Sequence, residues 1–230
     1  MFLNFYLKML NKIKSKIKEK IKSITPLYKV WFYFKYVNIS EGDLGGYIKG
    51  GDPETYYPKL WDWIVKELDV QSVLDIGCGE GYSTRYFKKI GCDVLGIEGS
   101  SKAIRDSVIS NNVIKHDFCK GEYTPNKKYD SIWSCEFVEH IEEKYISNFL
   151  ETFKFAEKYI FMTFAEKGQE GWHHVNCKTK EYWIKKISQI GFRFDPKLTE
   201  FAKSLCKKHF NEHGLVFINQ NYKIKKNIKI

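Results

Sequence analysis

The 230-residue chain lacks several patterns that would place it in an extracellular or membrane class of protein. Six cysteines are present without a C-x-x-C pair, which predicts buried thiols in a reducing compartment rather than a disulfide framework. No apolar run reaches the ~18 residues needed to span a bilayer. The N-terminus has no apolar core followed by a small-residue cleavage site, so no signal peptide is predicted. We therefore expect a cytoplasmic location.

Arginine is nearly absent, although the formal net charge is +10. Residues 1–36 contain nine lysines and one glutamate, and residues 221–230 contain four lysines and no acid, so residues 37–220 carry about −2. Only Arg85, Arg105 and Arg193 offer the forked guanidinium that suits phosphate and base recognition. A nucleic-acid partner is therefore not favoured. We interpret the excess of lysine first as a drift in composition of the source genome.

The distribution of charge suggests three regions: a basic N-terminal extension over residues 1–36, a main domain over 37–220 and a lysine-rich tail over 221–230. The extension carries an apolar stripe at helical spacing. The stripe consists of Tyr6, Leu10, Ile13, Ile17, Ile21 and Ile24. Such a helix either makes peripheral contact with an anionic membrane surface or packs its stripe on the domain or on a partner subunit.

A short apolar strand at Val73–Ile76 runs directly into the turn Gly77-Cys78-Gly79-Glu80-Gly81, and a helical pattern follows. Glycines let such a turn approach a ligand closely because no Cβ intervenes. Nucleotide-like ligands bind at this first βα turn of a doubly wound sheet. Tyr82 stands where the dinucleotide fingerprint needs its last glycine. The pattern is therefore G-x-G-x-G, preceded by Asp75.

This turn resembles motif I of the class I S-adenosylmethionine-dependent methyltransferases. Glu98 ends the next predicted strand, 23 residues after Asp75, where a carboxylate can accept hydrogen bonds from two ribose hydroxyls. In that family, an acid after the third strand faces the adenine amino group, and here Asp117 takes that place with Phe118 beside the ring. The resemblance implies S-adenosyl-L-methionine as cofactor. Its predicted binding residues are Asp75, Gly77, Cys78, Gly79, Gly81, Glu98, Gly99, Asp117 and Phe118.

The fold class implied is α/β, a Rossmann-like, doubly wound, seven-stranded sheet with an antiparallel last strand, in a methyltransferase domain over residues 37–220. The remaining predicted strands are 129–135, 158–164, 192–194 and 215–219, and the predicted helices are 59–68, 178–190 and 199–210. A glycine-rich segment over 41–58 is either a lid on the cofactor or an ordinary linker. A non-catalytic scaffold with this fold is the alternative to an enzyme.

A second group of polar residues follows the fourth predicted strand. If a helix starts at Glu136, then Glu136, Glu139 and His140 share one of its faces. A later loop with His173 and His174 follows the fifth strand and reaches the same sheet edge. Carboxylates and imidazoles together suit Mg²⁺, Mn²⁺, Co²⁺ or Zn²⁺. Alternatively, Glu139 and His140 only cap and orient that helix, while the later histidines pack beside Trp172.

The pattern E-x-x-E-H with a downstream histidine is similar to the metal site of the small-RNA 3′-terminal 2′-O-methyltransferases. That resemblance implies Glu136, Glu139, His140 and His174 as ligands of a divalent metal (Mg, Mn or Co). His140, His173 or His174 would accept a proton if not coordinated. Ubiquinone-pathway enzymes share E-x-x-E-H, and glycan-associated methyltransferases share the overall character of the chain. We therefore predict O-methylation of a sugar or glycan hydroxyl, with a terminal RNA ribose or a catechol-like small molecule as alternatives.

Overall fold

The computed structural model describes residues 44–45 and 47–223. The amphipathic extension predicted for residues 1–36 and most of the lysine-rich tail lie outside the described residues. The predicted domain bounds and the predicted membrane contact therefore stay predictions.

Seven strands form one mixed sheet within the described residues. They are β1 (Ser72–Ile76), β2 (Asp93–Glu98), β3 (Val113–Lys115), β4 (Tyr129–Ser134), β5 (Ala156–Met162), β6 (Phe192–Phe194) and β7 (Leu215–Asn219). Their order is β3-β2-β1-β4-β5-β7-β6. Strands β1 to β5 are parallel, and β7 is antiparallel to both β5 and β6. The predicted fold class is confirmed.

The order of the strands reverses between β1 and β4. From β1 the chain proceeds outwards to β2 and β3, and it then returns to place β4 on the other side of β1. In open α/β sheets, ligands bind outside the carboxyl ends of the strands at such a switch point. The glycine turn after β1 and the polar residues after β4 both lie at this position.

The helices flank the sheet, and most follow the predicted pattern. They are α1 (Pro58–Glu67), α2 (Tyr82–Lys89), α3 (Ser101–Arg105), α4 (Ile146–Phe153), α5 (Lys180–Gln189), α6 (Pro196–Ser204) and α7 (His209–His213). The single helix predicted over 199–210 is wrong. The Asp195 carboxylate accepts a hydrogen bond from the Leu198 amide and starts α6 early. Lys208, with φ of 56°, separates α6 from α7.

Aromatic and aliphatic side chains fill both faces of the sheet. On one face, Trp133 of β4 packs parallel to Phe210 of α7, with ring centroids 5.4 Å apart, and Trp61 of α1 meets its edge at 5.8 Å. On the other face, Ile132 and Ile160 pack against α4 and α5. The core thus covers both faces of the sheet and leaves the carboxyl ends of β1, β2 and β4 for the site.

Among the described residues, no helix is both long enough and apolar enough to cross a membrane. All six cysteines lie in this part of the chain and are free thiols. The predicted absence of a disulfide framework therefore matches the structure. The cytoplasmic location stays a prediction.

Candidate functional site

The turn between β1 and α2 exposes its backbone to an open cleft. Gly77 has φ of +76°, and a Cβ added there would lie 2.6 Å from the Phe137 ring. Gly79 has φ of +56°, and the nearest atom to an added Cβ is Tyr47 Cβ at 3.9 Å. Glycine adopts this left-handed conformation without steric cost. The turn therefore presents bare peptide groups to whatever occupies the cleft.

The cleft contains about 560 Å³ of space that protein atoms do not fill, including space open to solvent. Six of the predicted cofactor residues line it: Gly77, Gly79, Glu98, Gly99, Asp117 and Phe118. Sequence reasoning missed several further lining residues, among them Ile97, His116, Phe137 and Ile141. These residues are apolar or aromatic except for His116, and their pattern in the sequence is that of ordinary core residues.

Glu98 ends β2 with its carboxylate at the cleft. Oε2 accepts a hydrogen bond from the Gly79 amide at 2.8 Å, and Oε1 accepts one from the Ser100 amide at 2.8 Å. Each carboxylate oxygen has a second lone pair. The geometry therefore suits a pair of ribose hydroxyls while the same side chain fixes the glycine turn.

Asp117 and Phe118 follow β3 on the far side of the cleft. The Asp117 carboxylate accepts a hydrogen bond from the Cys119 amide at 2.9 Å and pairs with Lys120 at 3.2 Å. The Phe118 ring is held edge-on to Phe137, with centroids 5.6 Å apart. These two residues form an aromatic wall with an acidic edge, which suits an adenine ring.

Three predicted cofactor residues do not border the cleft. Asp75 is 1% exposed, and its carboxylate accepts hydrogen bonds from the Ser83 and Thr84 hydroxyls, both at 2.6 Å. Burial raises its pKa to about 6, against the opposing effect of those hydrogen bonds. Cys78 is buried, and Gly81 begins α2. In this structure Asp75 holds the first turn of α2 through Ser83 and Thr84, Cys78 and Gly81 belong to the glycine turn itself, and direct cofactor contact by all three stays a prediction.

The glycine-rich segment before α1 reaches the cleft. Leu44, Gly45 and Tyr47 line it. The Gly50 amide donates to the Glu80 carboxylate at 2.9 Å, and the Tyr47 hydroxyl donates to Asp106 at 3.1 Å. The segment is thus fastened to the cofactor turn and forms part of the cleft wall, which an ordinary linker would not do.

Glu139, His140 and His174 converge beside the cleft. One potential ligand atom from each lies within 4.8 Å of the other two. Glu139 is fully buried, and neither carboxylate oxygen accepts a hydrogen bond of normal geometry. Burial, and next the neighbouring Glu136 carboxylate, raise the pKa of Glu139 well above its usual range, while backbone contacts at Glu139 and Phe137 oppose this rise. A buried carboxylate without partners is costly unless a cation joins it.

The two imidazoles are oriented as metal ligands are. His140 Nδ1 lies 3.1 Å from the His173 carbonyl oxygen, and His174 Nδ1 lies 3.2 Å from the Gln169 carbonyl oxygen. A carbonyl only accepts hydrogen bonds, so each Nδ1 carries the proton and each Nε2 keeps a free lone pair. Burial lowers the pKa of His140 to about 4. The three residues therefore fit a divalent cation.

The fourth predicted ligand does not join this cluster. The helix expected from Glu136 does not form, because Glu136 has φ of 53° and only Val138–His140 make a helical turn. The Thr163 hydroxyl donates to Glu136 Oε1 at 3.0 Å, and Oε2 lies 3.2 Å from His209 Nδ1. The predicted arrangement of Glu136, Glu139 and His140 on one helix face is therefore wrong.

His173 and His209 complete the polar surroundings. The His173 ring lies roughly parallel to His140 with centroids 6.4 Å apart, and its Nδ1 is buried without a partner. Sequence reasoning missed His209, which lies 73 positions beyond Glu136 inside a stretch predicted as continuous helix. His209 reaches the site because the helix breaks at Lys208, and the sequence contains no signal for that break.

Residues 52–191, more than half of the chain, match the family model of a methyltransferase domain. No curated protein matches the chain.

Several solved structures share its fold. Magnesium protoporphyrin IX methyltransferase from Synechocystis, with bound S-adenosylhomocysteine, is 16% identical with a TM-score of 0.52, covering 70% of this chain and 80% of that one. A TehB-like S-adenosylmethionine-dependent methyltransferase from Corynebacterium glutamicum is 18% identical with a TM-score of 0.54, covering 75% and 90%. An S-adenosylmethionine-dependent methyltransferase from Archaeoglobus fulgidus is 18% identical with a TM-score of 0.51, covering 74% and 95%. Taken with the glycine turn and the acid-lined cleft, the family match establishes that this chain belongs to the class I S-adenosylmethionine-dependent methyltransferases.

Proposed function

We propose that this enzyme methylates a hydroxyl of a sugar or glycan and that a divalent cation bound by Glu139, His140 and His174 assists the reaction. The observation that carries the proposal is the buried Glu139 carboxylate, whose oxygens make no hydrogen bond of normal geometry and which converges with a ligand atom from each of two imidazoles. His140 also lines the cofactor cleft. A cation held there would therefore lie next to the methyl donor.

The chemistry follows from this placement. Bound S-adenosylmethionine supplies a sulfonium-activated methyl group, and a divalent ion supplies positive charge that lowers the pKa of a coordinated hydroxyl. The chain itself fixes the direction of approach. Gly77 and Gly79 let the donor approach closely, and Glu98 holds its ribose. The loop that carries His173 and His174 borders the side from which the acceptor would approach. In-line displacement depends strongly on such positioning.

The charge around the acceptor side favours an uncharged acceptor. Asp52 and Glu212 lie close enough to Glu136 to raise the pKa of its carboxyl group, although burial is the larger cause. Glu54 lies beyond His209, where Lys208 pairs with it at 3.6 Å. Within the described residues, these four carboxylates (Asp52, Glu54, Glu136 and Glu212) have one paired lysine, Lys208, and a negative surface repels a phosphate backbone. This supports a sugar hydroxyl over the terminal ribose of an RNA.

The test measures transfer of a labelled methyl group by the purified full-length protein. The acceptor panel contains free sugars and short glycans with vicinal hydroxyls, a catechol, and a short RNA with its 3′ diol intact or destroyed by periodate. We expect transfer to a sugar or glycan. Transfer only to the intact RNA, or only to the catechol, would reject the proposed acceptor class.

The role of the cation is tested in the same assay. Chelator treatment is expected to lower turnover at least tenfold, and added Mg²⁺, Mn²⁺ or Co²⁺ is expected to restore it. Glu139→Gln should show the low turnover of the chelated enzyme at all metal concentrations, whereas Glu142→Gln, a change at a half-buried position that pairs with Lys144, should behave as wild type. Unchanged turnover after chelation would remove the metal from the proposal.

A further inference from the structure

Glu136 and His209 form a polar pair beside the cluster of Glu139, His140 and His174, and the pair is not part of that cluster. His209 Nδ1 is 3.2 Å from Glu136 Oε2, and on its other side His209 Nε2 is 3.7 Å from Glu54 Oε2. The imidazole is thus held between two carboxylates. Of these, Glu136 lines the cleft, so its carboxylate is the member of the pair that an acceptor can reach.

The backbone is strained at both ends of this pair. Among the described residues, only Asp69, Glu136, His173 and Lys208 are non-glycine residues with positive φ. Glu136 carries the carboxylate, and Lys208 directly precedes the imidazole. Such conformations cost roughly 1–3 kcal/mol each, persist only where the surroundings enforce them, and concentrate at functional sites.

Thr163 enforces the conformation of Glu136. Its hydroxyl oxygen accepts a hydrogen bond from the Glu136 amide at 2.7 Å and donates its proton to Glu136 Oε1 at 3.0 Å. Thr163 is itself fully buried directly after β5. A buried residue directly after β5 therefore holds the Glu136 carboxylate in place, within electrostatic reach of Glu139.

The pair remains accessible, since the Glu136 and His209 side chains are 22% and 26% exposed. The charged and titratable groups around the pair are Asp52, Glu54, Tyr57, Glu212, Glu139, His174, Cys135 and Lys208. Burial raises the pKa of Glu136, and His209 and Thr163 oppose that rise. A partly exposed carboxylate supported in this way suits proton transfer to and from a bound ligand.

We propose that Glu136 is the group that accepts the proton of the acceptor hydroxyl and that His209 is a positioning residue for it. This inference rests on the proposed O-methyl transfer. The hydroxyl proton passes to the Glu136 carboxylate while the oxygen–methyl bond forms and the sulfur–methyl bond breaks. The sulfonium becomes a neutral thioether, and the proton leaves to water from the Glu136–His209 pair.

The decisive variant is Glu136→Gln, which keeps the size of the side chain and its hydrogen bond from Thr163 but cannot accept a proton. We expect kcat to fall about 100-fold or more, as for loss of a general base. The KM of the acceptor and the affinity for S-adenosylhomocysteine should change less than threefold. The plateau of kcat at high pH should be replaced by a rate that keeps rising with pH. The matched control is Glu151→Gln on the exposed surface of α4, with kcat expected within threefold of wild type.

The role of His209 is tested by rescue. In His209→Asn, the side-chain amide lies near the position of Nδ1 and still donates to Glu136, so kcat should stay within about fivefold of wild type. His209→Ala should lose more than tenfold. Equal losses in both variants would overturn the positioning role.

Two results would overturn the role of Glu136 itself. One is a kcat for Glu136→Gln within threefold of wild type. The other is loss of the metal-induced thermal shift in that variant, which would make Glu136 a ligand. The thermal shift requires no acceptor, and the kinetics use whichever hydroxyl acceptor the wild-type enzyme methylates. Failure of the sugar proposal is therefore seen separately, in the acceptor panel.

Discussion

Replacing Glu139 by glutamine should abolish metal binding without destabilising the metal-free protein. Glu139 is fully buried and its two oxygens have no hydrogen-bond partners, so the metal-free wild type contains a carboxyl group that is costly to ionise. Glutamine has the same shape and no charge. We therefore expect the metal-free variant to unfold within a few degrees of the metal-free wild type, because one buried polar group without good partners replaces another.

The expected size of the metal effect follows from binding linkage. A cation at 100 times its Kd stabilises the wild type by about 2.7 kcal/mol. For a chain of this length that corresponds to a rise in Tm of roughly 5–10 °C. Without the only carboxylate in the cluster, Glu139→Gln should retain a rise of less than about 2 °C at the same metal concentration.

Scanning calorimetry with Mn²⁺ or Co²⁺ measures both quantities, and Glu142→Gln serves as the control, with the full shift of the wild type. Equal shifts in the wild type and in Glu139→Gln would refute the metal site. A metal-free Glu139→Gln that unfolds well below the wild type would refute the account of Glu139 as a carboxyl group without partners.

Three further predictions concern other parts of the site. Glu98→Ala should weaken S-adenosylhomocysteine binding at least about 100-fold in calorimetry, because two hydrogen bonds to a charged group are lost and each contributes about 1.5–3 kcal/mol; unchanged affinity would place the ribose elsewhere. Gly171→Ala should abolish the metal-induced thermal shift but keep cofactor affinity, since a Cβ at Gly171 would lie 2.2 Å from His174 Nε2; a retained shift would mean that His174 is not a ligand. The pKa of Asp75 is raised from 3.8 to about 6, so the folded state favours its proton, and this stability is present below pH 4 and lost as pH rises through 6. Relative to Asp75→Asn, the unfolding free energy of the wild type should therefore fall by on the order of 3 kcal/mol between pH 4 and 7 in urea titrations, and a rise would contradict the burial argument.

Much of the fold could be predicted because its elements have strong local signals. The strand–glycine turn–helix unit around Gly77 and the acid at Glu98 follow from residue type and spacing alone. The fifth strand was displaced by two residues, since Ala156 pairs with Tyr129 across an irregularity in register that only the folded sheet defines. The helix predicted across Lys208 failed for a similar reason. Lysine is compatible with a helical pattern, so the sequence contains no signal that Lys208 adopts a positive φ.

The sequence predicted those parts of the site that lie at strand ends. It did not predict the parts that depend on the backbone conformation of a single residue. Glu139 and His140 lie where the end of β4 places them, and His174 arrives from the loop after β5. Glu136 is different, because its positive φ is imposed by Thr163, 27 positions away in the sequence. An acid three residues before another acid suggests a shared helix face, and nothing local contradicts that suggestion.

That one backbone conformation separates two functions that a helix would have merged. On a continuous helix, Glu136 and Glu139 would present two carboxylates to one cation, leaving no acid free beside it. In the folded protein, Glu139 stays with His140 and His174, whereas Glu136 turns to His209. The enzyme thus keeps a carboxylate that is accessible from the cleft next to a site suited to a cation. Replacing Thr163 by valine, which keeps the volume but removes both hydrogen bonds, should therefore lower kcat while leaving the metal-induced thermal shift intact. Loss of that shift together with kcat would mean that the two carboxylates act as one site after all.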